Sequence, residues 1–261
     1  MSDNLVLYEL RGPAAILKLN RPDKRNALSR ALIAAIRDAV QRAKTDSAAR
    51  CMIVTNAGPT FCAGMDLAEL QQSISNANEQ ETIWNDALQL AEAYDLIYTL
   101  PKPTVAAVNG PAVAGGAGLV TVCDLAIATP ASKFGYPEVR RGLVAAMVMP
   151  HLLRHVGERM ARHLLLMGEL VDAEAAKQSG LINEVVPAER LFDRALELAR
   201  SIAAGGPQAL AATKLLLHQF SRQTTSIQET AKASAAPRLG EECRAGLQAF
   251  FEKRPAPWEA S

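Results

Sequence analysis

Two glycine-bearing segments, Phe61-Cys62-Ala63-Gly64-Met65-Asp66-Leu67 and Asn109-Gly110-Pro111-Ala112-Val113-Ala114-Gly115-Gly116-Ala117-Gly118, each follow an apolar run, and a carboxylate comes later in Phe134-Gly135-Tyr136-Pro137-Glu138. Glycine-rich turns let the main chain approach a ligand closely, and main-chain N–H groups at a helix start stabilise a developing negative charge. The three strings therefore describe an amide-lined oxyanion site with one carboxylate beside it. Chemistry through an enolate needs little more than those amides and one base. Pro137 fixes its own torsion and biases Tyr136 to an extended form, so Glu138 stands on a stiff frame. Burial against the apolar run Leu143-Val144-Ala145-Ala146-Met147-Val148-Met149 would raise its pKa and suit it to moving protons near neutrality. A solvated surface charge is the competing reading of an isolated Glu. For the glycine run the competitors are close helix–strand packing and a dinucleotide-binding turn; the latter fails because Gly-x-Gly-x-x-Gly needs glycine where Thr121 stands.

Alternating strands and helices must position these strings. Val6–Leu10 and Ala14–Leu19 read as a hairpin across Arg11-Gly12-Pro13, and Ser29 reads as the N-cap of a helix with Leu32, Ile33, Ile36 and Val40 on one face. Cys51–Thr55 and Pro103–Val108 read as buried strands, each leading into one glycine-bearing turn. Between them, Glu69–Leu100 carries Trp84, Leu88, Ala91, Tyr94 and Ile97 at helical spacing; its opening, Gln71–Gln80, reads as a loop and a mobile substrate flap. Leu125–Ala128 and Leu181–Val186 read as further strands, the second announced by Gly180 as a helix C-cap. Helices then follow over Leu191–Ala204, over Pro207–Phe220 after Gly205-Gly206, and from Ala236 or Pro237 to Lys253. With apolar stripes and no sheet left to cover, they suggest an oligomer-forming appendage.

Composition excludes several classes. The chain has 261 residues, 49% apolar and 21% charged, with a formal net charge of +1; its basic residues are scattered, which argues against nucleic acid as a partner. The N-terminus lacks the pattern of a signal peptide and no segment reaches membrane-spanning length, so a cytoplasmic location is expected. Cys51, Cys62, Cys123 and Cys243 form no Cys-x-x-Cys pair and read as reduced structural thiols. His151 and His155 share a helix face, but there is no His-Glu-x-x-His string and Arg154 and Arg159 crowd them, so no metal is expected. No Gly-x-Ser-x-Gly elbow is present either.

Taken with Leu19-Asn20-Arg21-Pro22, Asn26-Ala27-Leu28, Leu166-Met167-Gly168-Glu169, Asp172-Ala173-Glu174-Ala175 and Phe250-Phe251-Glu252-Lys253-Arg254, the site strings resemble the crotonase superfamily, the enoyl-CoA hydratases and isomerases, along nearly the whole chain. The resemblance implies an α/β fold: a crotonase-type ββα superhelical core over residues 1–195, then a helical region over 196–261 for oligomer contacts and a CoA-covering tail. It implies an acyl-CoA substrate with no separate cofactor, and a homo-trimer or dimer of trimers. It makes Glu138 the catalytic carboxylate and the amides of Met65 and Gly115 the oxyanion donors. It assigns substrate or CoA contacts to Lys24, Arg25, Ala63, Asp66, Leu67, Gly116, Phe250 and Lys253. For Asp66, a helix N-cap is the stronger reading than a catalytic acid. Two positions depart from the family pattern. Ala68 stands where a lysine is found, and Gly118 stands where two-glutamate hydratases carry the second carboxylate. Syn addition of water needs a group to position and deprotonate that water, whereas a double-bond shift needs one base moving a proton between two carbons. The lone Glu138 therefore favours isomerisation of a 3-enoyl-CoA to the 2-enoyl-CoA. Hydration is the alternative, followed by thioester hydrolysis, decarboxylation or dehalogenation on the same oxyanion hole, and by a silent CoA-binding subunit.

Overall fold

The computed structural model describes residues 4–74, 78–221 and 227–255. Its main sheet runs β1 (Val6–Arg11), β2 (Ala14–Leu19), β3 (Cys51–Asn56), β4 (Thr104–Val108), β6 (Leu125–Ala128) and β9 (Glu184–Val185), hydrogen-bonded in that order. Only β1 and β2 pair antiparallel, across a turn where Gly12 takes φ +56°; the later strands are parallel. Beside it lies a small sheet of β5 (Ala112–Val113), β7 (Lys133–Gly135) and β8 (Leu170–Asp172). The central strands read as unbroken apolar runs because both faces of the sheet are covered.

Alternate side chains divide between those faces. Leu17, Leu19, Met52, Val54, Ala106 and Val108 enter the larger core, with α1 (Arg30–Thr45) and α3 (Glu79–Tyr98). Ala14, Ile16, Cys51, Ile53, Val105 and Ala107 face the other way, onto Leu191, Ala195 and Ala199 of α7 (Leu191–Ala203). The expectation that the helices after Pro187 have no sheet to cover is thus wrong for α7, and residue 195 lies within that helix. Its small residues recur every four positions, which lets the helix lie close on the strands. By contrast α8 (Pro207–Ser221) buries Lys214, whose Nζ meets Asp124 Oδ2 at 2.6 Å, and leaves Leu215, Leu217 and Phe220 exposed. The expected final helix is broken: Ala236–Leu239 is a 3₁₀ turn and α10 follows over Glu241–Phe251.

The expected flap is also corrected. Residues 71–74 belong to α2 (Leu67–Ile74) and Glu79 and Gln80 to α3, while 75–77 lie outside the described residues. An ion-pair knot draws this polar tract into the fold: Arg30 of α1 donates to both oxygens of Asp86 on α3, at 2.6 and 2.7 Å, and to Ser73 Oγ on α2 at 2.6 Å. The buried face of α3 is Ile83, Ala87, Leu90, Ala91, Tyr94 and Ile97, with Trp84 and Leu88 at its margin. Similarly, the strand expected over Leu181–Val186 shortens to β9, Leu181 and Ile182 instead entering the core. Among the described residues no helix is long and apolar enough to cross a membrane.

One buried amide holds together the loops that lead to the site. Asn26, fully buried at φ +52°, accepts from Arg21 N at 2.8 Å and donates to Ala57 O and Thr60 O at 3.0 and 2.8 Å. Asn26→Ala removes three hydrogen bonds at a left-handed position, leaving the part-buried Arg21 N and Ala57 O without this partner, while Thr60 O keeps its bond from Asn56 Nδ2 at 3.1 Å. The expected loss is about 3 kcal/mol, read as a lower denaturant midpoint at unchanged slope.

Candidate active site

Residues 61–67 thread between two neighbours. On one side Cys62 N donates to Pro111 O at 3.2 Å and Val113 N donates to Cys62 O at 2.9 Å; on the other, Leu28 N donates to Gly64 O at 2.8 Å and Asp66 N donates to Leu28 O at 3.1 Å. The second pair uses the carbonyl before Met65 and the amide after it. In an extended chain the N–H of Met65 itself therefore faces the opposite edge, and it has no acceptor among the described residues. That edge abuts Ala114 and Gly115. At Gly64, φ +88°, an added Cβ would lie 2.8 Å from Ala114 Cβ and 3.3 Å from Gly115 N, so both torsion and space demand glycine.

Ala114 is the strained member, an alanine at φ 53°, ψ −125°. It is held there by its amide donating to Gly135 O at 2.8 Å and its carbonyl accepting from Gly118 N at 3.0 Å. Such a conformation costs about 1–3 kcal/mol and is kept where the surroundings over-determine it. It sets the peptide whose N–H opens α4 (Gly115–Thr121). Met65 and Gly115 both border one cavity of about 590 Å³.

Glu138 borders the same cavity from a 3₁₀ turn, Pro137–Arg141, closed by Gly142 at φ +65°. The residue as a whole is partly open to the cavity, but its Oε2 is buried and has no hydrogen-bond partner among the described residues. Burial lifts its pKa to about 7, against the opposing pull of its own backbone N–H and of Arg141 and Arg238. Arg141 stacks its guanidinium 4.6 Å from the centre of the Phe250 ring.

The region around Gly118 is filled. A Cβ there would meet Tyr94 Oη and Val148 Cγ1, each at 2.6 Å. A carboxylate side chain at position 118 would therefore require Tyr94 and Val148 to move. The Tyr94 hydroxyl donates to Gly115 O at 2.7 Å, and burial holds the phenol far above its ordinary pKa, so it stays protonated.

The structure brings together most of the sequence-predicted residues: Met65, Gly115, Glu138, Ala63, Leu67, Lys24, Arg25 and Phe250 all border the cavity, the two exposed cations at its mouth. Asp66 borders it with its carboxylate already engaged. Oδ1 accepts from Ala68 N and Glu69 N at 3.1 and 3.4 Å, capping α2, and Oδ2 pairs with Arg21 at 2.7 Å, which lowers its pKa despite partial burial. Gly116 is not on the wall; a Cβ there would run into the Cys62 carbonyl, so this glycine permits backbone packing. Lys253 is exposed and borders neither this cavity nor the adjoining one, which Arg140, Arg141 and Arg254 reach. His155 and His151 are engaged elsewhere, the first with Thr121 O at 2.8 Å and the second with Arg154 at 3.3 Å.

Sequence reasoning missed Arg238 and Ser234, which also border the cavity, and the role of Tyr94 in filling it. The available signal at 238 was a single cation after Pro237 in the small-residue run Ala233-Ser234-Ala235-Ala236; nothing in that pattern says what it faces.

A family model described as "Enoyl-CoA hydratase/isomerase" matches residues 11–261. The chain is similar to a Thermus thermophilus protein named "Putative enoyl-CoA hydratase", 40% identical over 247 residues, 94% of this chain and 97% of that one. It is 35% identical to the Mycobacterium tuberculosis protein named "Enoyl-CoA hydratase EchA19" over 259 residues, 95% of this chain and 94% of that one. Among solved structures, an enoyl-CoA hydratase from Mycobacterium avium matches with a TM-score of 0.85 at 34% identity, over 97% of this chain and 98% of that one.

Two stability measurements check this geometry. Glu138, ordinarily near 4.5, keeps its proton in the folded chain to about pH 7, so the folded state binds more protons in that window and stability falls as pH rises through it. Relative to Glu138→Gln, wild type is expected to lose about 3 kcal/mol between about pH 5 and about pH 8 in urea titrations. Gly118→Ala is expected to lower stability by about 1–3 kcal/mol through overpacking against Tyr94 and Val148, seen as an earlier thermal midpoint.

Proposed function

The chain belongs to the enoyl-CoA hydratase/isomerase family, and from that premise we propose that it adds water, reversibly and syn, across the double bond of a 2-enoyl-CoA. The observation that carries this reading is the buried, unpartnered Oε2 of Glu138, on one cavity with the Met65 and Gly115 amides. The thioester oxygen accepts from both amides. Glu138 as carboxylate takes a proton from water while the water oxygen bonds to the β-carbon, and the π electrons move toward the α-carbon and the thioester oxygen. Glu138, now protonated, delivers its proton to the α-carbon on the same face. One water has been added and the carboxylate is restored. Each oxyanion donor is worth about 3–4 kcal/mol in comparable sites.

A carboxyl group with a pKa of about 7 serves in turn as acceptor and donor near neutrality, so the absence of a second carboxylate does not forbid hydration. The names of the similar proteins support hydration over the double-bond shift expected from a lone base. That shift is the second reading, favoured by the filled space at Gly118. In it Glu138 moves a proton from the α-carbon to the γ-carbon of a 3-enoyl-CoA. Under either reading coenzyme A is part of the substrate, and the exposed Lys24 and Arg25 are suitably placed for its phosphates. The exposed apolar residues of α8 support subunit contacts in a homo-trimer or dimer of trimers.

Purified protein mixed with a 2-enoyl-CoA should lose conjugated-thioester absorbance, with kcat/KM rising with pH about a midpoint near 7 as Glu138 ionises. Glu138→Gln should reduce that rate by roughly 10²–10⁴-fold. Absorbance that instead rises with a 3-enoyl-CoA and stays constant with the 2-enoyl-CoA would replace hydration by isomerisation.

A further inference from the structure

A guanidinium is buried in the cavity wall with no carboxylate within ion-pair distance among the described residues, although the charges of Asp86 and Glu138 both favour its protonated form. Arg238 is 2% exposed and borders the cavity that Glu138 borders. Its Nη2 donates to Ser234 Oγ at 3.1 Å, and Ser234 is equally buried; its Nη1 is buried with no hydrogen-bond partner among the described residues. Asp86, the carboxylate that most favours the charged form of Arg238, already accepts from Arg30 with both oxygens and from the Ser73 hydroxyl. Burial lowers the Arg238 pKa only to about 10, so the charge remains at neutral pH.

A buried cation with no adjacent carboxylate is costly, and apolar side chains of similar volume would fill the same space at less cost. A pocket made only for an alkyl chain has no use for it. The rest of this region is of alkyl-binding type, with Leu90, Leu143, Ala145 and Val148 on the wall. The phosphates of a CoA thioester would meet Lys24 and Arg25 at the solvent-exposed mouth, whereas Arg238 is out of contact with bulk water. The planar, multi-donor guanidinium is suited to a carboxylate, which it can hold through two parallel hydrogen bonds.

We propose that Arg238, supported by Ser234, forms a carboxylate subsite in the acyl end of the cavity, so that the acyl group handled at Glu138 carries a terminal carboxylate of its own. This rests on the reading of the cavity as an acyl-thioester site. The substrate class is then the mono-CoA thioester of an unsaturated dicarboxylic acid, with apolar wall contacts for the intervening methylenes.

Binding of saturated thioesters tests the subsite without any turnover. Three acyl-CoAs of equal length, ending in carboxylate, carboxamide and methyl, are titrated calorimetrically into wild type, Arg238→Met and Arg238→Lys. Wild type should bind the carboxylate roughly 10–100-fold more tightly than the methyl compound, with the carboxamide between them. Arg238→Met should lose the preference while holding the methyl compound at least as well, and Arg238→Lys should keep part of it. Equal or weaker binding of the carboxylate by wild type overturns the proposal, and that comparison needs no variant to fold. A preference that persists in Arg238→Met also overturns it. Binding of all three without discrimination sinks the subsite alone, whereas failure to bind any of them sinks the acyl-thioester reading as well.

Discussion

Everything at this site depends on how closely two stretches of main chain approach each other. Gly64 and the Ala114–Gly115 peptide lie so near that a single methyl group on residue 64 would collide with the neighbouring strand. Pairing with Leu28 consumes the Gly64 carbonyl and the Asp66 amide and leaves the N–H of Met65 directed at the gap. Ala114 is held in an unfavourable torsion immediately before Gly115, the helix-opening residue that borders the same cavity. Peptide donors placed in this way require no reorganisation when charge develops on a bound oxygen, which is the source of their advantage over mobile side chains or water.

The cavity is also a place where charge is kept away from solvent. Glu138, Arg141 and Arg238 all border it, and each is displaced from its ordinary pKa in the direction that burial dictates: the acid upward, the two guanidinium groups downward. The cations temper the rise at Glu138 without cancelling it, because desolvation is the larger effect. A carboxyl group held close to neutrality in this way can exist in either protonation state under ordinary conditions, a property an exposed glutamate lacks. The hydration proposed for the chain uses both states in sequence.

Packing at Gly118 shows how one small residue shapes the space around it. Tyr94 and Val148 occupy the space that a longer side chain would need, and the Tyr94 hydroxyl anchors the Gly115 carbonyl in the turn that borders the cavity. The filled space at Gly118 and the reinforcement of the turn are thus two aspects of one arrangement. The same helix, α3, supplies Leu90 to the wall and is tied through Asp86 to Arg30 and Ser73, so the wall rests on a braced helix along Glu79–Tyr98.

Much of this was legible in the chain itself. The hairpin, the Ser29 cap, the buried strands and the glycine-bearing turns are encoded by local periodicity, caps and torsional demands, and the strings around Met65, Gly115 and Glu138 carried the family resemblance. The Asp66 cap was read correctly because an N-cap bond spans only three residues. Contacts over long separations were not legible. Gln71–Ile74 looked like loop because its composition is polar, and only the Arg30–Asp86–Ser73 knot, linking residues far apart in sequence, makes it part of the fold. Gly116 is expected from the resemblance to contact substrate, yet the Cys62 carbonyl backs it, and nothing in the residues around Gly118 says that Tyr94 and Val148 fill the space beside it. Arg238 was indistinguishable from a surface charge. Local torsion, capping and alternation are written into neighbouring residues, so the sequence alone determined the elements and which residues could do chemistry. Which side chains share a cavity, how deeply each is withdrawn from water and what space remains between them follow from packing across the whole chain, and only the tertiary structure decided those.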